Sequence, residues 1–328
     1  MQSESIAYLF FAKSLTNMSS TAVQCAYIGL GAMGKSMAGH IARKITSLNY
    51  PPLLVYNRTQ ARAEDFQKEN PQISKAASSL EEIAKKADII FSCLLNDAAV
   101  QETVKALKPH LKSGAILVES STIAPAIAQD LAKQLKEKDV TYIACPVMGP
   151  PVKAASGDLT VLMAGGNPET REKVKSLLIP VIGKKAIELG MDDVAESLRL
   201  KLCGNYYITG LVELIAEGMT LGEAAGVGQQ HVKELLDCVF PNTLLGVYAG
   251  RMLNNTYRDQ VAFSMSAAKK DVNHIMEMAK DVKASVPITE VFLDHLNQVQ
   301  AEQGDLDLSA VVGKLRQKAG LDFDLKKQ

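Results

Sequence analysis

The sequence predicts an α/β protein: an N-terminal doubly wound parallel sheet, then an all-α domain joined to it by one long helix. Three observations carry this reading. From Cys25 to about Leu189, short apolar runs alternate with amphipathic stretches of helical spacing. The runs are apolar at nearly every position, the pattern of strands covered on both faces rather than on one. After Met191 the strand signal stops and successive segments carry a 3.6-residue period. The boundary therefore falls near 189–191, separating residues 25–190 from residues 191–328.

In chain order the predicted strands are CAYIGL, LLVYN, DIIFSCLL, AILVES, TYIAC, LTVLMAG and AIEL. Between them lie helical patterns such as SMAGHIARKITSL, QARAEDFQKEN and TIAPAIAQDLAKQLKEK. The second domain opens with MDDVAESLRLKLCGNYYITGLVELIAEGMTLGEAAGV, read as a single long helix ended by glycines. QHVKELLDCV, TLLGVYAGRML, MSAAKKDVNHIMEMAKDV, ITEVFLDHLNQVQAEQ and SAVVGKLRQKAG follow as shorter helices. Residues 1–24 precede any such pattern. With one lysine and one glutamate they make a poor arginine-rich presequence, and YLFFA is too short for a secretory core. They are read as a disordered extension or targeting remnant, with Met18 as an alternative start.

Composition excludes several classes. The 328 residues are 47% hydrophobic and 22% charged, with a formal net charge of zero, so there is no electrostatic footprint for nucleic acid. No apolar run approaches the ~20 residues of a membrane helix. The five cysteines (Cys25, Cys93, Cys145, Cys203, Cys238) form no CxxC and sit mostly in apolar contexts, which suits reduced, core-packed thiols. That favours a cytoplasmic protein, with the mitochondrion as the alternative. The five histidines (His40, His110, His231, His274, His295) show no metal-binding spacing and are read as solvated or capping groups. No metal is expected.

The first strand runs into IGLGAMGKSMAGHI, which places G-x-G-x-x-G at Gly29, Gly31 and Gly34. The pattern alone is weak. Following a strand and opening a helix, it marks a Rossmann-type dinucleotide loop, with Leu30, Ala32 and Met33 between the glycines. Gly29 allows the tight turn, Gly31 lets a pyrophosphate approach the backbone, and Gly34 lets helix pack on strand. The helix N-terminus then offers N–H groups to the phosphates. At the end of the second strand, an NAD site would carry an acid for the ribose 2′-hydroxyl. Here the residues are Asn57, Arg58 and Thr59. Arg58 can pair with a 2′-phosphate and Thr59 can add a hydroxyl, so NADP(H) is expected over NAD(H).

Along the long helix, Ser197, Lys201, Asn205 and Thr209 recur every four residues against an apolar background. A lysine packed between domains loses hydration, which lowers its pKa and suits it to proton transfer near neutral pH. The same spacing also describes a surface row with a snorkelling lysine.

Four segments bear on that choice: GLGAMGKSMA with NRT at 57–59; SSTIAP at 120–125; CPVMGPPVKAASGDLT from 145 to 160; and the Lys201 helix with AKKDV after it. Together the chain resembles the β-hydroxyacid dehydrogenases, the group containing 3-hydroxyisobutyrate dehydrogenase and the glyoxylate/succinic semialdehyde reductases. The resemblance implies that Lys201 is the catalytic residue and Asn205 orients it or the substrate. It places Leu94 and Leu95 at the nicotinamide ribose, Thr122 at the cofactor or pocket wall with Ser121 beside it, and Lys270 reaching in from the α domain. A small carbonyl or hydroxy substrate and a homodimer are likewise implied.

The sequence departs from the family at the substrate loop. Met148 replaces the serine, Pro150 replaces a glycine after Gly149, and Ala144 stands where an aspartate is usual. A hydroxyl donor and an N–H donor are lost, so the grip on a small carboxylate should weaken. Ala195 and Ser197 also replace the glycines usual just before the lysine, which would narrow the space beside the nicotinamide. A longer semialdehyde acid, a bulkier β-keto compound or an apolar aldehyde is expected as substrate. An imine reductase and a non-catalytic NADP-binding homologue are the alternatives.

Overall fold

The computed structural model describes residues 23–326. The expectation for residues 1–24 falls almost wholly outside them. Six parallel strands form the main sheet: β1 (Cys25–Ile28), β2 (Leu53–Tyr56), β3 (Ser74–Ala76), β4 (Ile89–Ser92), β5 (Ile116–Glu119) and β6 (Thr141–Ala144). They lie in the order β3-β2-β1-β4-β5-β6. β1, β4 and β5 are buried at every position, which is why their sequences are apolar without alternation. β1 pairs with β2 on one side and β4 on the other, so the chain reverses direction of winding there. At such a switch point the loops leaving two adjacent strands part and open a crevice.

The sequence reading needs two corrections here. β3 was not foreseen: SKA is short, and only its pairing with β2 makes it a strand. The last two predicted strands, β8 (Leu159–Met163) and β9 (Gly183–Glu188), leave the main sheet. They form a second sheet with a further short strand, β7 (Val147–Met148), which runs antiparallel to β8. The chain turns back at Cys145–Pro146, and a single antiparallel bridge, Ala144 to Ala164, joins the two sheets.

The long helix, Ala195–Ala224, crosses from this α/β body into the helical region. Its N-terminal end packs on the helix Pro125–Lys136 and on β6 and β8. Its C-terminal part forms the core of the second region with the helices Gln229–Val239, Leu244–Leu253, Met265–Asp281, Pro287–Gln303 and Val311–Lys318. The polar row is not a surface row. Ser197, Asn205 and Thr209 are buried and Lys201 is largely so, because the helix is covered on that side by Met265–Asp281 and by the α/β body.

All five cysteines are free; Cys25 and Cys145 are buried, whereas Cys203 and Cys238 are exposed. Two histidines depart from the solvated reading. His295 is buried with Nδ1 2.6 Å from Glu213 Oε1, and His274 is paired with Asp97. Among the described residues no helix is long and apolar enough to cross a membrane, and no group of three metal-ligating side chains occurs.

Candidate active site

The glycine loop sits at the switch point, between β1 and the helix Gly34–Ser47. Gly29 has φ +97°, and a Cβ there would lie 2.2 Å from the Cys93 carbonyl oxygen beyond β4. A Cβ on Gly34 would lie 2.0 Å from the Gly29 oxygen. These two glycines are required by the protein's own packing. Gly31 differs: an added Cβ would meet no protein atom within 4 Å. Its bareness faces open space, as expected where a dinucleotide backbone lies against the loop. The helix behind it has no acidic residue in its first turn and no side-chain cap, so its partial positive charge is not neutralised.

The other loop residues divide by role. Leu30 buries its side chain, and its N–H donates to Asn57 Oδ1 at 3.0 Å. Asn57 Nδ2 donates in turn to the Thr59 carbonyl at 3.1 Å, so Asn57 brackets the two cofactor-side loops together. Ala32 is exposed and Met33 packs against the core. Arg58 and Thr59 are exposed at the end of β2, and the Arg58 side chain has no partner among the described residues. A cavity of about 210 Å³ beside Leu30 is bordered by Lys35, Arg62, Asp65 and Glu69, with Lys35 paired to Glu69 at 2.7 Å. The residues present fit a bound NAD(P).

Across the crevice, Leu94 and Leu95 follow β4. Leu95 is 73% exposed. The Leu94 N–H donates to Ser121 Oγ at 2.6 Å, and the Ser121 N–H donates to Glu119 Oε1 at 2.7 Å. Ser92 Oγ donates to the other Glu119 oxygen. Burial pushes the Glu119 carboxyl above its usual range, against these hydrogen bonds. Ser121 is part of this network. With 2% of its surface exposed and its hydroxyl oxygen accepting the Leu94 N–H, it links the β4 and β5 loops.

Lys201 lies on the long helix facing this crevice. Burial lowers its amine to about 8; Asp271 and Cys93 oppose the shift while Lys270 adds to it. It has neither a hydrogen bond nor an ion pair among the described residues. Its neighbours are paired: Asn205 Nδ2 donates to Asp271 Oδ2 at 2.6 Å, and Lys270 Nζ donates to Asp271 Oδ1 at 2.7 Å and to the Thr122 carbonyl. The Asp271 carboxylate, 3% exposed, is thus shared between an amide and an ammonium group. Asp271 was not singled out as a site residue, since its link to Asn205 spans 66 residues of sequence.

The substrate loop forms another wall. Met148 lies against the long helix, its Cε 2.7 Å from where a Gly204 Cβ would be, three residues beyond Lys201. Gly149 has φ +138°, and Pro150 precedes the short helix Pro151–Ser156. That helix is tied to the glycine-loop helix by His40 Nε2, 3.0 Å from the Ala155 carbonyl oxygen. The expected crowding by Ser197 takes another form. Its hydroxyl is buried and bonds to the Ala144 and Val194 carbonyls, at the contact between helix and β6.

Residues 24–190 match the family described as the NAD binding domain of 6-phosphogluconate dehydrogenase. Residues 197–315 match the one described as the NAD-binding domain of NADP-dependent 3-hydroxyisobutyrate dehydrogenase. An NADH-dependent oxidoreductase of Aspergillus ustus is 33% identical over 83% of this chain and 92% of its own length. Among solved structures, a 3-hydroxyisobutyrate dehydrogenase of Mycobacterium tuberculosis superposes with a TM-score of 0.77 at 21% identity, over 90% of this chain and 100% of that one. An imine reductase of Pseudomonas sp. gives 0.58 at 22% identity, over 92% and 100%. At these identities the two structures speak for the fold.

Proposed function

The chain belongs to the β-hydroxyacid dehydrogenase family, an NAD(P)-dependent oxidoreductase acting on CH–OH groups, and on that premise we propose that Lys201 is its proton donor and acceptor and NADP(H) its cofactor. The observation that carries this is the unpaired, desolvated amine of Lys201, close enough to Asp271, Lys270 and Cys93 to feel their charges. When bound, the nicotinamide supplies the hydride in reduction and receives it in oxidation.

The protein's own groups then have distinct tasks. Lys201 donates a hydrogen bond to the substrate oxygen, stabilises its growing negative charge and delivers a proton. In the reverse direction its neutral amine takes the hydroxyl proton. Asn205, its amide nitrogen held by Asp271, keeps its oxygen free to orient the amine or the substrate. Lys270 holds the β5 loop through Thr122 and adds positive charge to the crevice. Arg58 and Thr59, exposed and with no acid in the first turn of the following helix, suit a 2′-phosphate. The Aspergillus ustus relative is NADH-dependent, so cofactor choice in this chain rests on those local residues.

Met148 and Pro150 place an apolar wall where a carboxylate grip would need donors. That supports a longer semialdehyde acid, a bulkier β-keto compound or an apolar aldehyde as substrate. Residues 25–190 serve as the NADP-binding part and 191–328 as the substrate and dimerisation part. Tyr207, Leu214 and Leu221, seven residues apart on the long helix and well exposed, support a homodimer. Five free cysteines agree with a reducing, cytoplasmic setting.

The test is a panel of aldehydes, keto acids and cyclic imines with NADPH and with NADH, on the parent and on Lys201→Ala. Reduction of carbonyls with NADPH, lost by about 100-fold or more in the variant, is expected. Full activity in Lys201→Ala would refute the mechanism. Rapid turnover of glyoxylate at low concentration would refute the substrate class. Imine reduction alone, or NADPH binding without turnover, would establish one of the alternatives.

A further inference from the structure

One helix, Met265–Asp281, reaches across the crevice at two points a single turn apart. Lys270 meets the Thr122 carbonyl, and His274 Nε2 lies 3.2 Å from Asp97 Oδ1. The spacing of four residues puts both groups on one face of the helix. Asp97 opens the helix Asp97–Leu107, two residues beyond Leu95. His274 therefore ties the loop after β4 to the α region, one helical turn from where Lys270 ties the loop after β5 to it. The contact is sheltered, with side-chain exposures of 11% for His274 and 23% for Asp97. Exposed pairs such as Lys85 with Glu81 contribute little. A directional bond that is partly desolvated and spans two regions sets geometry more strongly.

We propose that His274 is a positioning residue for the proton-transfer site. Clipped to Asp97, it fixes the helix that carries Lys270 and Asp271 against the loops that carry Leu94 and Thr122. Through Asp271 and Asn205 it thereby fixes the surroundings of Lys201. The inference rests on the reading of Lys201 as the proton carrier. Charges around the clip agree with it. Burial works to raise the Asp97 carboxyl, but the His274 hydrogen bond, the charges of His274 and Lys270, and the Ala124 N–H together bring it below its usual range.

The experiment compares His274→Leu, which removes both ring nitrogens, with His274→Gln, whose amide nitrogen can reach the place of Nε2. In each, kcat, carbonyl KM, NADPH Kd and Tm are measured. Acylation of the Lys201 amine against pH is followed by mass spectrometry of its peptide. In His274→Leu we expect kcat to fall about tenfold, with KM and Kd within about threefold of the parent. The Lys201 midpoint, near 8 in the parent, should move up toward the ordinary lysine range as the crevice hydrates. His274→Gln should restore both. An unmoved midpoint in His274→Leu, or equal changes in the two variants, would overturn the proposal. Should His274→Leu fail to fold, Asp97→Asn gives the same readout. If the parent turned over no substrate while the midpoint still moved in His274→Leu alone, the catalytic reading would fall and the positioning role would stand.

Discussion

An amine held at about 8 in the crevice has a direct consequence for rate. Reduction needs the ammonium form of Lys201 as donor, so kcat/KM for a carbonyl should fall as pH rises above about 8. Oxidation needs the free amine, so its rate should rise through the same range; opposite limbs measured on one substrate pair check the assignment. At the cofactor end, Arg58→Ala should raise the KM for NADPH by about 10- to 100-fold and leave that for NADH nearly unchanged, because only NADPH carries the 2′-phosphate. Equal effects on both cofactors would remove Arg58 from the specificity role. Lys201 stood out in the sequence as a polar position in an apolar helix, but its spacing from Asn205 also fitted a surface row, and only the family resemblance pointed to a catalytic role. Asp271 and His274 were not legible in the sequence. Their partners lie 66 and 177 residues away in sequence, and no local pattern encodes such a pairing.

At the scale of elements, the long helix has two faces with different fates. One face is covered by its own chain, and the other leaves Tyr207, Leu214 and Leu221 at 67%, 55% and 70% exposure. A stripe at seven-residue spacing continues a helical seam, and Leu235, Val239 and Val247 on the next two helices are also exposed. Replacing Leu214 and Leu221 together by glutamate should convert a dimer to a monomer in sedimentation at micromolar concentration. A dimer unchanged by the pair would place the interface elsewhere. The helix itself was evident from its period, but which side faces solvent depends on where the other helices lie. The substrate loop shows the same limit. Its prolines and Gly149 announced a turn, whereas β7 and the change of sheet after Cys145 depend on pairing with β8.

Across the whole molecule, function and stability pull in opposite directions at the joint between the two regions. Below about pH 8 Lys201 is charged in both the folded and the unfolded chain, and the folded state bears the full cost of desolvating it. A fall from 10.5 to about 8 corresponds to roughly 3 kcal/mol. That destabilisation fades as pH rises from about 8 and is gone above about 10.5, where the amine is neutral in both states. Lys201→Met should therefore raise Tm by a few degrees at pH 7 while abolishing turnover, and the gain should vanish toward pH 10.5. A variant that melts lower than the parent at pH 7 would show that Lys201 stabilises the fold. The sequence by itself determined the two-part plan, the parallel strands, the glycine loop and the unusual substrate loop, because these depend on local period, chirality and side-chain chemistry. Only the tertiary structure decided that the polar row is buried, that Ser121 braces loops, and that Asn205, Asp271 and Lys270 form one network. Those outcomes depend on which distant segments exclude water from the same crevice, and burial of that kind is a property of the packed chain.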